Sequence, residues 1–292
     1  MITKVAESAG FCVGIERAIK IVNEQLLTGK KVYTLGPITH NDQVCDELAR
    51  KGVVILDNVE EAENIKNSVI IIRSHGVPEE VFRRLKNTEV TNNNEIVDAT
   101  CGFVKRIHNI VSEKSAEGYN VIITGDPEHP EVIGICGWCK GPCQVINSPE
   151  EAMNYSANPE KKTIIVSQTT FNSRKFEVLV EILKKMLYDV NVAKSICNST
   201  EKRQRETYEL AKDSDAMIVI GGKNSSNTAK LYEISVKECK NTYHIQTPDD
   251  LDLNLFKSFR CVGITAGAST PKTIIEEVQE KCQSLTRCLK NQ

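Results

Sequence analysis

Short runs of β-branched residues alternate with amphipathic runs along the whole chain. Val32-Leu35, Val53-Leu56 and Ser68-Arg73 are strand-sized and apolar, and Asp42-Lys51, Val59-Lys66 and Glu79-Lys86 between them have helical polarity. This order predicts parallel strands joined by right-handed crossovers, an α/β fold. A short apolar lead at the start of the chain runs into Ser8-Ala9-Gly10-Phe11-Cys12-Val13-Gly14. That stretch reads as a β-to-α turn with a cysteine at its tip. Behind it, Ile15, Ala18, Ile19, Val22 and Leu26 mark one face of a helix closed by Gly29.

The same grammar returns twice with matching punctuation. Cys101 precedes Val104, Ile107, Ile110 and Val111, with Gly118 as the stop and Asn120-Thr124 as the next strand. Cys197 precedes Asn198-Ser199-Thr200-Glu201, a helix cap, then a helix and the strand Ala216-Ile220. Gly36, Gly125 and Gly221 each lie 24 positions beyond their cysteine. Four residues past each glycine stands a polar side chain: His40, His129 and Ser225. Further on, Leu56-Asp57-Asn58-Val59-Glu60-Glu61-Ala62 resembles Ile146-Asn147-Ser148-Pro149-Glu150-Glu151-Ala152 and, more loosely, Gln246-Thr247-Pro248-Asp249-Asp250-Leu251, each reading as a strand end, a helix N-cap and an acidic first turn. A final strand in each repeat ends in a polar cluster: Arg73-Ser74-His75-Gly76, Ser167-Gln168-Thr169-Thr170, and Ala266-Gly267-Ala268-Ser269-Thr270. The chain therefore reads as three α/β domains, 14–97, 98–193 and 194–292, with an N-terminal strand in 1–13 joining the third. The closing stretch from Lys281 to Gln292 is polar and is expected to fray.

Composition narrows the function classes. Of 292 residues, 40% are hydrophobic and 26% charged, enough for full cores, and the net charge of −2 gives no support to nucleic acid or an anionic membrane as partner. The longest apolar runs, such as Val69-Ile72 and Met217-Ile220, fall far below the roughly 20 residues of a membrane span. No basic region followed by an apolar core opens the chain, so a cytoplasmic setting is expected. In that setting eleven cysteines point to metal ligation, redox chemistry or burial rather than disulfides.

Ligands of parallel α/β sheets bind at the carboxyl ends of the strands, where every repeated polar position falls. One cysteine per repeat, Cys12, Cys101 and Cys197, suits a metal centre with an open position. Zinc with three protein ligands and a 4Fe–4S cluster with one free iron both fit the pattern. The repeated His, Ser, Thr and Asn residues, set beside glycines and helix starts, suit a phosphate group. Three of the five histidines (His40, His75 and His129) fall at repeated loop positions, whereas His108 and His244 read as ordinary helix and strand residues. Two residues beyond His40, His129 and Ser225 stand Asp42, Glu131 and Asn227. Glu131 alone there is a glutamate, and in a closed pocket it can serve as a general acid.

Gly10-Phe11-Cys12-x-Gly14, Thr39-His40-Asn41, Ser74-His75-Gly76-Val77, Asp98-Ala99-Thr100-Cys101, His129-Pro130-Glu131-Val132, Gln168-Thr169-Thr170, Lys223-Asn224-Ser225-Ser226-Asn227 and Thr265-Ala266-Gly267-Ala268-Ser269 run in order through nearly the whole chain. Together they resemble the 4-hydroxy-3-methylbut-2-enyl diphosphate reductases. The resemblance implies a pseudo-threefold trefoil of α/β domains with small, mainly parallel sheets. It places one 4Fe–4S cluster at the centre, held by Cys12, Cys101 and Cys197. It implies reductive removal of a hydroxyl from an allylic diphosphate, giving isopentenyl and dimethylallyl diphosphates, with ferredoxin or flavodoxin as electron donor. Glu131 matches the family's proton-delivering residue, with Thr169 and His129 beside it. His40, His75, His129, Thr169, Ser225, Ser226, Asn227 and Ser269 match positions around the substrate. A non-redox 4Fe–4S dehydratase and a metabolite-sensing cluster protein are the competing readings. Cys136-Gly137-Trp138-Cys139-Lys140-Gly141-Pro142-Cys143 has the spacing of a zinc knuckle or second cluster, but the family does not require it and no fourth ligand is evident. These three cysteines are therefore read as tolerated.

Overall fold

A computed structural model describes residues 1–156, 158, 161–187 and 189–290, and for 286–290 the backbone only. Strand β1 (Ile2–Val5) and helix α1 (Val13–Leu26) lead into β2 (Val32–Leu35), α2 (Asp42–Arg50), β3 (Val54–Leu56), α3 (Val59–Glu63), β4 (Val69–Ile72), α4 (Glu79–Thr91) and β5 (Glu95–Asp98). The second repeat holds α5 (Gly102–Ala116), β6 (Asn120–Thr124), α6 (Pro130–Gly137), β7 (Cys143–Ile146), α7 (Pro149–Met153), β8 (Thr163–Ser167), α8 (Ser173–Met186) and β9 (Val190–Val192). The third holds α9 (Asn198–Lys212), β10 (Ala216–Ile220), α10 (Ser226–Glu238), β11 (Thr242–Ile245), two short 3-10 turns, β12 (Cys261–Ala266) and α11 (Lys272–Lys290).

The strands form three four-stranded sheets in the orders β3-β2-β4-β5, β7-β6-β8-β9 and β11-β10-β12-β1. Every strand pairing among the described residues is parallel. The three orders are the same order. The first two sheets take their last strand from the end of their own repeat, and the third takes β1 from the start of the chain, with Ile2 opposite Cys261 and Val5 opposite Ile264. The chain divides into two compact units. One comprises Met1–Ile15, Thr39–Val44 and Asn198–Gln292, and the other Glu16–Ile38 and Cys45–Cys197.

The central strands are apolar and buried along their length. All four residues of β4 and all five of β10 lie in the interior. Alternation is lost there because helices cover both faces of a parallel sheet. In the first unit Ile218, Ile220, Val262 and Ile264 pack with Phe256 and with Ile274, Ile275 and Val278 of α11. In the second unit Ile70 and Ile72 pack with Leu35, Leu56 and Leu85, and the β6-β8 sheet has one cluster around Ile123 and Ile135 and another around Ile122, Ile165 and Phe171. Burying each such side chain contributes about 1.5–3 kcal/mol. No helix among the described residues is long and apolar enough to cross a membrane.

The expected fraying from Lys281 onward is corrected. Helix α11 continues to Lys290, because Val278, Cys282 and Leu285 extend its apolar face and are buried against the sheet. Residues 291–292 lie outside the described residues.

Candidate active site

The repeat in the sequence is a repeat in hydrogen bonding. Gly36, Gly125 and Gly221 follow β2, β6 and β10, and their N–H groups donate to Leu56 O (2.8 Å), Ile146 O (3.2 Å) and Ile245 O (2.9 Å), the last residues of the neighbouring strands. Each cysteine follows an edge strand and donates its N–H two residues beyond the end of the adjacent central strand. Cys101 bonds to Ser74 O (2.9 Å), Cys197 to Thr169 O (3.1 Å) and Cys12 to Ala268 O (3.1 Å). Cys101 is the N-cap of α5, and Cys12 and Cys197 immediately precede α1 and α9. A helix N-terminus favours a negatively charged group, so three half-buried sulfurs at such places fit an anionic iron–sulfur group.

In the second unit Glu131 sits in the first turn of α6 with only 2% of its surface exposed. Thr169 grips it twice: the backbone N–H donates to Oε1 at 2.5 Å and the hydroxyl to Oε2 at 2.8 Å. Burial pushes the Glu131 carboxyl up to about 7, against the pull of the two Thr169 hydrogen bonds. His129 is the N-cap of α6, and its Nδ1 accepts the Glu131 N–H at 3.1 Å. That bond fixes Nδ1 as the unprotonated nitrogen and puts any proton on Nε2. The His129 and His75 rings meet edge to face, with centroids 5.5 Å apart. Helix α6 reaches the His75 loop because it carries glycine at the contact. A Cβ on Gly137 would lie 2.4 Å from Pro78 Cβ and 2.8 Å from Pro78 Cα. Gln168, buried next to Thr169, accepts the Asp126 N–H at 3.2 Å and steadies the turn before His129.

In the first unit Ser225 caps α10 by accepting the Thr228 N–H, and Ser226 and Asn227 form the helix start. His40 is placed by backbone contact: a Cβ on Gly222 would lie 2.4 Å from the His40 carbonyl oxygen. Ser269 follows directly on Ala268, which accepts the Cys12 N–H. Asn41 Nδ2, Asn227 Nδ2, Thr228 Oγ1 and Ser269 Oγ are all buried without a hydrogen-bond partner. Leaving such a group unpaired costs about 1–3 kcal/mol, so each of the four is a candidate for contact with a polar ligand.

Sequence spacing aligned Asp42, Glu131 and Asn227, and the structure separates them. Asp42 is exposed and accepts a hydrogen bond from Gln246 Nε2 at 2.7 Å, while Glu131 and Asn227 are buried. The cause is a shift of one residue: α2 starts six positions after Gly36, but α6 and α10 start five after Gly125 and Gly221. Asn41 is thereby the cap of α2, its Oδ1 accepting the Val44 N–H at 3.1 Å. Asn41, Thr228 and Gln168 were missed as site residues. Their one sequence signal is position, beside a helix start or strand end. His108 and His244 are ordinary residues: His108 is buried, pushed down to about 4 by desolvation and stacked on Trp138, and His244 Nε2 bonds to Gly221 O.

Comparison with known proteins places this arrangement. Residues 3–283 match the family model described as LytB protein. A 4-hydroxy-3-methylbut-2-enyl diphosphate reductase of Caldanaerobacter subterraneus subsp. tengcongensis is 46% identical over 283 residues, covering 96% of both chains. The like-named protein of Clostridioides difficile is 43% identical, covering 94% of this chain and 96% of its own. A solved structure of (E)-4-hydroxy-3-methyl-but-2-enyl diphosphate reductase, the terminal enzyme of the non-mevalonate pathway, is 40% identical with a TM-score of 0.68, covering 97% of this chain and 100% of that one. The E-1-hydroxy-2-methyl-but-2-enyl-4-diphosphate reductase of Plasmodium falciparum is 27% identical with a TM-score of 0.89, covering 96% and 87%. With a family match across nearly its whole length and relatives this similar, the chain belongs to the LytB protein family.

Proposed function

We propose that this chain reductively removes the hydroxyl of 4-hydroxy-3-methylbut-2-enyl diphosphate, giving isopentenyl and dimethylallyl diphosphates at the end of the non-mevalonate route. The observation that carries this reading is Glu131, a buried carboxyl near neutral pKa gripped by Thr169, in a chain whose relatives carry that activity in their names. Those relatives are reductases, which favours reduction over the dehydratase and sensor readings.

Cys12, Cys101 and Cys197 would hold an iron–sulfur cluster, specifically one 4Fe–4S group, which when bound would supply electrons singly and a Lewis-acidic iron. The reaction consumes two electrons and two protons, one proton leaving with the hydroxyl as water and one ending on carbon. Glu131 is the source of the proton for the oxygen. At a pKa of about 7 it holds that proton near neutral pH and still gives it up readily. Thr169 Oγ1, 2.8 Å from Oε2, can accept the Glu131 proton and pass on its own. His129 adds a donor at Nε2. His40, His75, His129, Ser225, Ser226, Asn227 and Ser269 bind the substrate, chiefly its diphosphate. The unpartnered buried donors of Asn227 and Ser269 support that assignment, and they add Asn41 to it. Holding the diphosphate fixes the allylic end and excludes water from it.

The three-domain division at 14–97, 98–193 and 194–292, with 1–13 joining the third, is part of this reading and is supported by the pairing of β1 with β12. Ferredoxin or flavodoxin supplies the electrons. A cytoplasmic setting goes with such donors and with reduced thiols. The test is anaerobic loading with iron and sulfide, then turnover of the hydroxylated allylic diphosphate with reduced viologen. Isoprenoid diphosphate product is expected, and a fully loaded, reduced protein that forms none overturns the reading.

A further inference from the structure

The turns that present Cys12, Cys101 and Cys197 share a backbone plan and differ in the side chains that hold them. In the first unit the Cys12 turn leaves β1 with the Ala6 N–H on Ile264 O at 2.9 Å and ends with the Cys12 N–H on Ala268 O at 3.1 Å. Between these points the Ala9 N–H closes a turn onto Ala6 O, and the chain passes through Gly10 at φ +107°, a conformation that favours glycine. Ser8 anchors that turn to another element. Its N–H and its hydroxyl both donate to Glu206 Oε2, at 2.9 and 2.5 Å. Glu206 stands on α9, and Lys202 of the same helix lies 3.4 Å from its Oε1 and 3.6 Å from Glu7.

In the second unit the Cys101 turn is held by the opposite chemistry. Ala99 and Cys101 donate their N–H groups to Ile72 O and Ser74 O, and Asp98 Oδ1 takes the Thr100 N–H at 2.9 Å. The carbonyls of this turn are met by Arg17 of α1, whose Nη1 donates to Thr100 O at 3.1 Å and whose Nη2 donates to Asp98 O at 3.4 Å. A guanidinium fork suits two carbonyls, and a carboxylate suits an N–H with a hydroxyl. The Cys197 turn is held without a charge. Buried Ser195 accepts the Ser167 N–H at 2.6 Å and donates to Ala193 O at 3.1 Å.

We propose that Glu206 and Arg17 are positioning residues for two of the three cluster ligands, Glu206 acting through Ser8 on Cys12 and Arg17 acting through Thr100 on Cys101. The inference rests on the reading that these cysteines hold the iron–sulfur group. Neither side chain fills a core, since Glu206 is half-buried and Arg17 is exposed. Each is spent on an irregular segment that ends at a cysteine, and hydrogen bonds to a charged group are stronger than neutral ones. Loss of either contact frees the turn it holds, and the thiolate there samples several directions instead of one. The two effects are separable, because Glu206 acts on residues 7–12 and Arg17 on residues 98–101.

The test uses the full chain in two states, metal-free and anaerobically loaded with iron and sulfide. In the metal-free protein Glu206→Ala should speed amide hydrogen exchange of residues 7–12 at least tenfold and leave 98–101 unchanged, and Arg17→Met should do the reverse. In the loaded protein each variant should release iron to a competing chelator at least fivefold faster. The reduced state of each should give a broadened paramagnetic resonance signal, because its ligands no longer share one geometry. Glu206→Gln, which keeps an acceptor for Ser8, should retain iron better than Glu206→Ala. Adding Ser8→Ala to Glu206→Ala should change nothing further, since both act through one contact. A rise in exchange spread evenly over the chain, or exchange, iron release and resonance signal that all match the unsubstituted protein, would overturn the inference alone. Failure of the unsubstituted protein to take up iron would overturn the ligand reading and this inference with it.

Discussion

Thr169 donates two hydrogen bonds to Glu131, one from its backbone and one from its hydroxyl, and its own carbonyl accepts the backbone N–H of Cys197. The proposed proton donor and one proposed cluster ligand are therefore positioned by a single residue at the end of β8. Glu131→Gln keeps the size of the side chain and removes its acid. Turnover with reduced viologen should fall about 10²–10⁴-fold, the usual range for a lost general acid, while iron content and substrate binding stay near normal. Near-normal steady-state turnover would remove Glu131 from that role.

The raised Glu131 pKa fixes the sign of a pH effect. The acid form is needed and is lost as pH rises through about 7, so kcat should decline on the alkaline side of that value. In Thr169→Val the hydroxyl bond that stabilises the carboxylate is gone. The limb should then move to higher pH even as the maximal rate drops. A pH–rate profile of the two proteins reads both effects, and an unmoved limb would uncouple Thr169 from the titrating group.

Stability should carry the same signature. Burial raises the folded-state pKa of Glu131 from the ordinary 4.5 to about 7. Its contribution is fully present below about 4.5 and lost as pH rises through about 7. In Glu131→Gln this contribution is absent. Denaturant midpoints of the two proteins should therefore diverge between those pH values, the unsubstituted protein losing stability relative to the variant as pH rises.

Asn227→Ala and Ser269→Ala each remove a buried donor assigned to the diphosphate. A hydrogen bond to a charged group is worth about 1.5–3 kcal/mol, so kcat/KM should fall roughly ten- to hundredfold, mainly through KM. Equal losses in kcat with an unchanged KM would argue that these residues act on the chemical step.

Gly222→Ala puts a methyl group where the His40 carbonyl oxygen now sits, 2.4 Å from the new carbon. The His40 segment has to shift, and diphosphate affinity should weaken by a similar factor with iron content retained. Cys12→Ser, Cys101→Ser and Cys197→Ser, by contrast, should each lower iron and sulfide content in a reconstitution assay. A variant of these three that retained full iron would be removed from the ligand set.

The sequence by itself determined much of this protein. Strand cores such as Val32–Leu35, Asn120–Thr124 and Ala216–Ile220 were legible to the residue, because β-branched runs between glycines have few alternatives. The spacing of Cys12, Cys101 and Cys197 to their glycines was legible too, since one helix and one strand fill that interval each time. The short edge strands Glu95–Asp98 and Val190–Val192 were not, because so few residues carry no periodicity and pairing alone defines them. Nor did local pattern show that Lys281–Lys290 continues a helix, whose apolar face makes sense only against β12 and its neighbours. Tertiary structure alone decided that Glu131 is buried while Asp42, its match in spacing, faces solvent. Burial is a property of packing across elements, and the order of residues constrains it only through the fold it builds.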